Sequence, residues 1–338
     1  MARMKRLAVL LVALMSACSP QADLATETRV VTEAPLPTPS PAATVEPQPT
    51  ASSEPTVEPN TTISEPQAGS QVVSERDGMP MIYLPAGEFI MGSDDDDAKK
   101  SVEGGVASPE VPVHMAYVDG FWIDKFEVTN AQYRLCVESG VCLAPRLPQT
   151  FMGFEYFANL DYANYPVIYV DYFMARDYCQ WAGRRLPTEA EWAKAARGTD
   201  GRRYTWGNDP VTAERANFCD VNCPKTHASP AYDDGYAETA PVGSFPAGAS
   251  PYGVMDMAGN VWEWTSTIPQ PYPYDPGDGR EEPDLRPRED VVFGDGPQRV
   301  WRGGTWANGT WWLRASVRYH SVPGYYHNSL GFRCAVSE

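Results

Sequence analysis

The chain has 338 residues, a formal net charge of −17 and a sequence pI near 4.7. A surface this acidic repels phosphate backbones and anionic lipid, so nucleic-acid binding and electrostatic docking on a membrane are excluded. Every aromatic residue lies beyond Met81, the first being Tyr83, so residues 1–78 hold none of the side chains that dominate a core.

The first eighteen residues read as an export signal. Arg3, Lys5 and Arg6 form a basic start, and Leu7 to Met15 is an apolar run too short to span a bilayer. Met15-Ser16-Ala17-Cys18 resembles a bacterial lipoprotein cleavage site, with Met15 where Leu is commoner. The expectation is a signal over 1–18, a diacylglycerol anchor on Cys18, and an exported lipoprotein at the cell membrane or surface; secretion with ordinary cleavage is the alternative. Residues 19–75 contain ten prolines amid Ser, Thr, Ala and Glu, the composition of a disordered linker. The folded domain is expected over 76–338.

Residues 79–93 alternate short apolar runs with Pro and Gly and read as strands and turns. The run Asp94–Asp97 reads as a solvated loop beside Lys99-Lys100, with a metal loop as the rival. Val111 to Asp124 reads as a strand pair. Three helices follow. Thr129 and Gln132 have capping-box spacing, with Gly140 as terminator; a second helix runs from near Asp171 to Ala182; a third has Thr188 and Glu191 at its start and Gly198 at its end. Beyond Gly198 the chain is loop-rich, and 264–298 reads as an exposed excursion.

Without Cys18 six cysteines remain, an even number that suits disulfides in an exported chain. Cys136/Cys142 and Cys219/Cys223 are close enough to pair locally, but six cysteines allow fifteen pairings. A zinc site is disfavoured, because no C-x-x-C repeats and the chain has only four histidines.

The last forty residues concentrate aromatic and cationic groups. Trp301, Trp306, Trp311 and Trp312 alternate with Arg302, Arg314, Arg318 and Arg333 around Gly303-Gly304. Such a segment is either core or the floor of a cleft. Trp301 and Trp306, beside the glycine pair, read as core.

Six motifs occur in order: Gly87-Glu-Phe-Ile-Met-Gly92-Ser93; Glu127-Val-Thr-Asn130-Ala-Gln-Tyr133; Trp181-Ala-Gly-Arg-Arg-Leu-Pro-Thr-Glu-Ala-Glu-Trp192; Tyr252-Gly-Val-Met-Asp256-Met-Ala-Gly-Asn260-Val-Trp-Glu-Trp264; Arg302-Gly-Gly-Thr-Trp306; and Leu330-Gly-Phe-Arg-Cys334. Together they resemble the formylglycine-generating enzyme family, the sulfatase-modifying factors, over residues 79–338. The resemblance implies an α+β fold, a calcium-stabilised variant of the C-type lectin fold with little regular secondary structure. It implies a Cys179–Cys334 disulfide. It also implies two structural Ca2+ sites. One would use the Asn217 side chain, the Phe218 carbonyl, the Asp234 carboxylate and the Tyr236 carbonyl. The other would use Asp256, the Gly259 and Val261 carbonyls and Glu263. Both are oxygen-only sets, as Ca2+ prefers.

Active members of that family oxidise a sulfatase cysteine to formylglycine with O2 and Cu(I) held by two thiolates. The corresponding positions here are Asn308 and Leu313, whose amide and isobutyl groups cannot replace thiolates. Copper is therefore not expected. Other branches bind iron through histidines; His320 and His327, seven apart, do not by themselves define such a site. The expectation is a binding module whose groove is drawn from Thr305, Trp306, Asn308, Trp311, Trp312, Arg314, Tyr319, His320, Tyr325, Tyr326 and His327, with a peptide, protein or glycan as ligand. A formylglycine-type oxidase with another metal site is the alternative. A variable protein diversified by a retroelement and a purely structural surface head are also compatible with this sequence.

Overall fold

The computed structural model describes residues 66–99, 109–287, 290 and 294–338. The export signal, Cys18 and the linker up to residue 65 lie outside the described residues. Among the described residues no helix is long and apolar enough to cross a membrane.

Among the described residues, ten short strands and three complete α-helices stand out, with a further helical stretch at 96–99: β1 (Gln71–Val73), β2 (Pro80–Leu84), β3 (Gly87–Met91), β4 (His114–Val118), β5 (Phe121–Asp124), α1 (Asn130–Glu138), α2 (Tyr172–Trp181), α3 (Glu189–Arg197), β6 (Trp262–Trp264), β7 (Arg299–Arg302), β8 (Arg318–Ser321), β9 (Leu330–Phe332) and β10 (Ala335–Ser337). They form a four-stranded sheet ordered β1-β2-β5-β10, the pair β3-β4, and a four-stranded sheet ordered β8-β7-β6-β9.

The helices begin where capping chemistry places them. Thr129 and Gln132 exchange a capping box at α1, Thr188 and Glu191 do the same at α3, and the Asp171 side chain accepts from the Met174 amide at α2. The strands depart from expectation in three places. Ordered structure starts before residue 76, because β1 pairs with β2 in the register Val72↔Met81. The 111–124 region is not a strand pair: β4 joins β3, while β5 lies between β2 and β10. The 264–298 segment is not simply an exposed excursion, since Tyr272, Arg280 and Asp284 are buried within it. Local pattern specifies a strand but not its long-range partner, which accounts for the second departure.

The Asp94–Asp97 loop is only partly solvated. Asp95 and Asp97 both pair with Arg203, and Asp96 faces water.

The largest apolar cluster wraps α2. Tyr133 stacks on Tyr178 at 5.4 Å, Tyr178 meets Phe332 edge-on at 5.4 Å, and Trp264 and Trp301 close the far side. Disulfides join Cys136–Cys142, Cys179–Cys334 and Cys219–Cys223, as expected. The Cys179–Cys334 bridge ties α2 to the end of β9 across 155 residues.

Candidate functional site

Directly opposed residues of a sheet share a face, so the register Trp264↔Trp301↔Tyr319 sets three rings in one row. Trp262 joins that face through the two-residue period of β6. The row runs outward from buried Trp264 through Trp301 to Tyr319, which is 39% exposed. Trp312 abuts Trp262 at 5.9 Å and Tyr319 at 6.3 Å, while Tyr325 lies 5.3 Å from Trp301. The result is a continuous aromatic surface of half-buried Trp311, Trp312 and Tyr325 with exposed Tyr319 and Tyr326.

The opposite face of the same sheet is ionic. Arg318 holds Glu189 bidentately at 2.7 Å, and Arg302 lies 3.6 Å from the same carboxylate. Buried pairs of this kind leave a strongly unfavourable lone charge if either partner is removed.

The loop after Gly303-Gly304 is pinned from below. Gly304 has φ +76°, and a Cβ there would come within 2.6 Å of the Trp312 carbonyl oxygen. The Thr305 hydroxyl and the Trp306 amide both donate to the Asn260 carbonyl at 2.9 Å. Thr305 and Arg314 are therefore interior groups rather than groove residues, a correction to the sequence reading, and Trp306 is buried as its core reading expects and drops out of the groove candidates. Arg314 is fully buried and pairs bidentately with Glu110 at 2.8 and 3.0 Å. Leu313 is equally buried, packed with Tyr204, Phe218 and Ala258. Asn308 stays half-buried at the surface, and its carbonyl accepts from the Cys219 amide.

His320 and His327 flank the aromatic surface. His320 stacks beside Tyr319 at 6.1 Å, and His327 beside Tyr325 at 6.1 Å with its Nδ1 2.8 Å from the Ser329 hydroxyl. Burial lowers the pKa of both, aided by Arg318 and Lys225 respectively, so both rings favour the neutral form. Around this surface Trp301 Nε1, Asn308 Oδ1 and His320 Nδ1 are buried without a hydrogen-bond partner among the described residues.

One contributor was not anticipated from sequence. The turn Thr150 to Phe154 carries Phe151, Met152 and Phe154, each about half exposed. Its backbone is locked, because the Phe151 and Met152 amides both donate to the Glu238 carboxylate at 2.7 and 3.1 Å. Phe151 lies 6.2 Å from Trp306, with the Lys225 ammonium 3.3 Å from its ring. The only signal in the sequence is an apolar Phe-Met-Gly-Phe run in a turn.

Beneath the surface, Asn260 is a hub. Its Nδ2 donates to Glu127 at 2.6 Å, its Oδ1 accepts from Asn217 and from the Ala240 amide, and its own amide donates to the Asn217 carbonyl. Glu127 and Asn260 both sit in the recognised motifs, but their pairing across 133 residues could not be read there. Glu127, Asp256 and Glu263 crowd around the single Arg333 guanidinium. Burial and the neighbouring Asp256 and Glu263 charges push Glu127 well above the usual carboxylate range, and burial pushes Asp256 up to about 6.

The two oxygen sets differ in readiness for a cation. In the first, Asn217 Oδ1 is buried and unpartnered among the described residues, and burial pushes Asp234 up to about 7 despite bonds from the Phe218 and Tyr236 amides. In the second, Glu263 already accepts from Arg333 Nε at 2.6 Å, Arg333 Nη2 at 2.7 Å and Trp192 Nε1 at 2.7 Å. That leaves about one of its four lone-pair positions. Asp256 accepts one bond, from the Gly243 amide at 2.6 Å. Among the described residues no three His, Cys, Asp or Glu side chains converge as a metal cluster.

The profile of the sulfatase-modifying factor enzyme 1-like domain matches residues 68–338. The chain belongs to the sulfatase-modifying factor family. Within it, the chain is 34% identical over 296 residues to the formylglycine-generating enzyme of Streptomyces coelicolor, covering 75% of this chain and 88% of that protein. It is 31% identical over 297 residues to the inactive C-alpha-formylglycine-generating enzyme 2 of Bos taurus, covering 75% and 87%. The solved structure of PvdO from Pseudomonas aeruginosa matches with a TM-score of 0.62 at 25% identity, over 81% of this chain and all of that one. The fold is the C-type-lectin-like fold of this family, with little regular secondary structure for its length.

Proposed function

We propose that this family member is a ligand-binding module rather than a copper oxidase, held outside the cytoplasm by a lipid on Cys18. The observation that carries this reading is the state of the two family copper positions. Leu313 seals an apolar cluster, Asn308 offers only an amide, and all six described cysteines are in disulfides. Soft Cu(I) finds no thiolate in such a set, so the residues do not fit copper and no oxidative step is derived.

What remains at the cleft is the aromatic surface of Trp311, Trp312, Tyr319, Tyr325 and Tyr326, bordered by the rigid turn bearing Phe151 and Met152. Rigid rings bind with little lost conformational entropy, and exposed Tyr319 and Tyr326 carry hydroxyls that can bond an incoming group. A peptide, protein or glycan segment suits this mixture of flat apolar area and sparse polar atoms. Ca2+ is proposed at the Asn217, Phe218, Asp234 and Tyr236 set, where it would satisfy Asn217 Oδ1 and keep Asp234 ionised. A second Ca2+ is proposed at Asp256 and the Gly259 and Val261 carbonyls, with Glu263 contributing no more than one lone pair. Both would be structural, bracing the loops that carry the surface.

A formylglycine-type oxidase with a different metal site is the competing reading, resting on the likeness to the Streptomyces coelicolor enzyme. The deciding experiment is a peptide and glycan array screen followed by calorimetry on Tyr319→Ala and Trp312→Ala. A ligand whose affinity falls tenfold or more in these variants, about 1.4 kcal/mol, with thermal stability kept, supports the module. A ligand that binds both variants as tightly as the parent contradicts it.

A further inference from the structure

The 264–298 segment is fastened to the domain by a side chain outside it. His114, at the start of β4, accepts the Tyr274 amide at Nε2 over 2.8 Å, and its Nδ1 lies 2.9 Å from the Pro112 carbonyl. The Tyr272 ring meets the imidazole edge-on at 4.7 Å. A backbone amide can only donate and a carbonyl can only accept. One tautomer satisfies both contacts: the proton sits on Nδ1 and the lone pair on Nε2.

We propose that His114 is an acid-labile latch, clamping residues 272–276 to β4 while its Nε2 is unprotonated and releasing them when that nitrogen takes up a proton. Residues 281–285 are held separately, by Thr267 on Glu281 and by the Arg299 and Arg176 guanidiniums on the Glu282 and Asp284 carbonyls. Protonation turns Nε2 into a donor aimed at another donor, so the Tyr274 bond is lost outright. Release has a spatial consequence. The segment roofs a cavity of about 360 Å3 over Tyr172, Leu186 and Ser266, and beside it lies a second of about 630 Å3 reaching Tyr117 and Asp119. Tyr274 and Pro276 line the second cavity only, so release of 272–276 opens that cavity, while Glu281, Arg185 and Thr188 stay as the wall it shares with the first.

The charged groups around His114 come from three elements. Arg318 of β8 lies 4.2 Å from the Tyr272 ring and is paired with Glu189 of α3, which also accepts from the Tyr272 hydroxyl at 3.2 Å. Arg280, within the segment, is paired with Asp278. Burial, with Arg280 and Arg318, holds His114 below the ordinary histidine range, against the opposing pull of the Pro112 carbonyl and Glu189. The Tyr272 and Tyr274 phenols are both pushed up, mainly by burial, and stay neutral through the relevant range. Among the other acidic side chains of the segment, Asp278 and Asp284 are held low by Arg280 and Arg286, while Glu281 is pushed up by burial and accepts from the Tyr274 hydroxyl at 2.8 Å.

The sign follows from the lowered pKa. The released state binds the proton more tightly, so the latch is strongest above the free histidine pKa of about 6.5. It weakens about tenfold per pH unit below that, until the latched ring itself protonates.

Hydrogen exchange of the full-length protein at pH 7.5 and 5.0, corrected for intrinsic rates, tests this. Amides of 272–275 should lose protection by up to about thirtyfold at pH 5.0, with α2 unchanged. His114→Gln can donate to Pro112 and accept from Tyr274 at any pH, so its segment should stay protected at both. Equal protection at both pH values in the parent overturns the latch. So does an unaltered acid response in His114→Gln, which would assign the switch to Glu281, or a His114 pKa at or above 6.5 by NMR.

Discussion

Asp234 holds its carboxylate against two backbone amides, yet its pKa is about 7, because burial outweighs those bonds. Its folded pKa lies above the unfolded value, so without a cation its contribution to stability is fully present below pH 4 and is lost as pH rises through 7. Asp256, at about 6, acts in the same direction. In EDTA the melting temperature should therefore fall between pH 5 and 8, and millimolar Ca2+ should reverse that slope; differential scanning calorimetry reads both. A slope indifferent to Ca2+ would remove calcium from these residues. Glu263 gives a second expectation. Glu263→Ala strands the fully buried Arg333 guanidinium and should cost about 3–5 kcal/mol in urea unfolding, with or without calcium. At this scale the sequence was legible wherever a motif fixed a local turn. It was silent on Asn260 bonding Glu127, because only the fold brings those positions together.

The elements divide by how local their causes are. The three helices were readable because each carries its start signal within four residues, and the structure shows the caps at Thr129, Asp171 and Thr188. The strands were readable as strands but not as pairs: β4 and β5 are adjacent in sequence and lie in different sheets. The 264–298 segment looked solvated because its composition is polar, yet Arg280 is buried through its own Asp278 partner and the Pro271 and Pro273 carbonyls. Breaking the link between α2 and β9 should be the most damaging single change to an element. Replacing Cys179 and Cys334 together by Ala should lower stability by about 5 kcal/mol in the chain-entropy account, measured by denaturant unfolding under non-reducing conditions. A loss below about 1 kcal/mol would mean that packing around Phe332 and Tyr178 alone holds the element.

Across the whole molecule, the sheet β8-β7-β6-β9 carries buried ion pairs on one face and, on the other, an aromatic row that runs from the core at Trp264 to the surface at Tyr319. The sequence showed that tryptophans and arginines interleave, but not that period two would sort them onto opposite faces. Arg314, a groove candidate from sequence, lies inside, while Trp306 is buried in keeping with its core reading; Phe151 and Met152, absent from the sequence reading, are half exposed, with Phe151 beside Trp306. Both outcomes arise because exposure is set by neighbours distant in the chain. On the proposed reading, the surface around Trp312, Tyr319 and Tyr325 binds a ligand and does not oxidise it. The most direct measurement is Cu(I) titration of the purified domain with O2 uptake on a Cys-x-Pro-x-Arg peptide. The account predicts no stoichiometric copper, no turnover and calcium near two per chain by elemental analysis. Stoichiometric copper or iron with steady O2 consumption would contradict it.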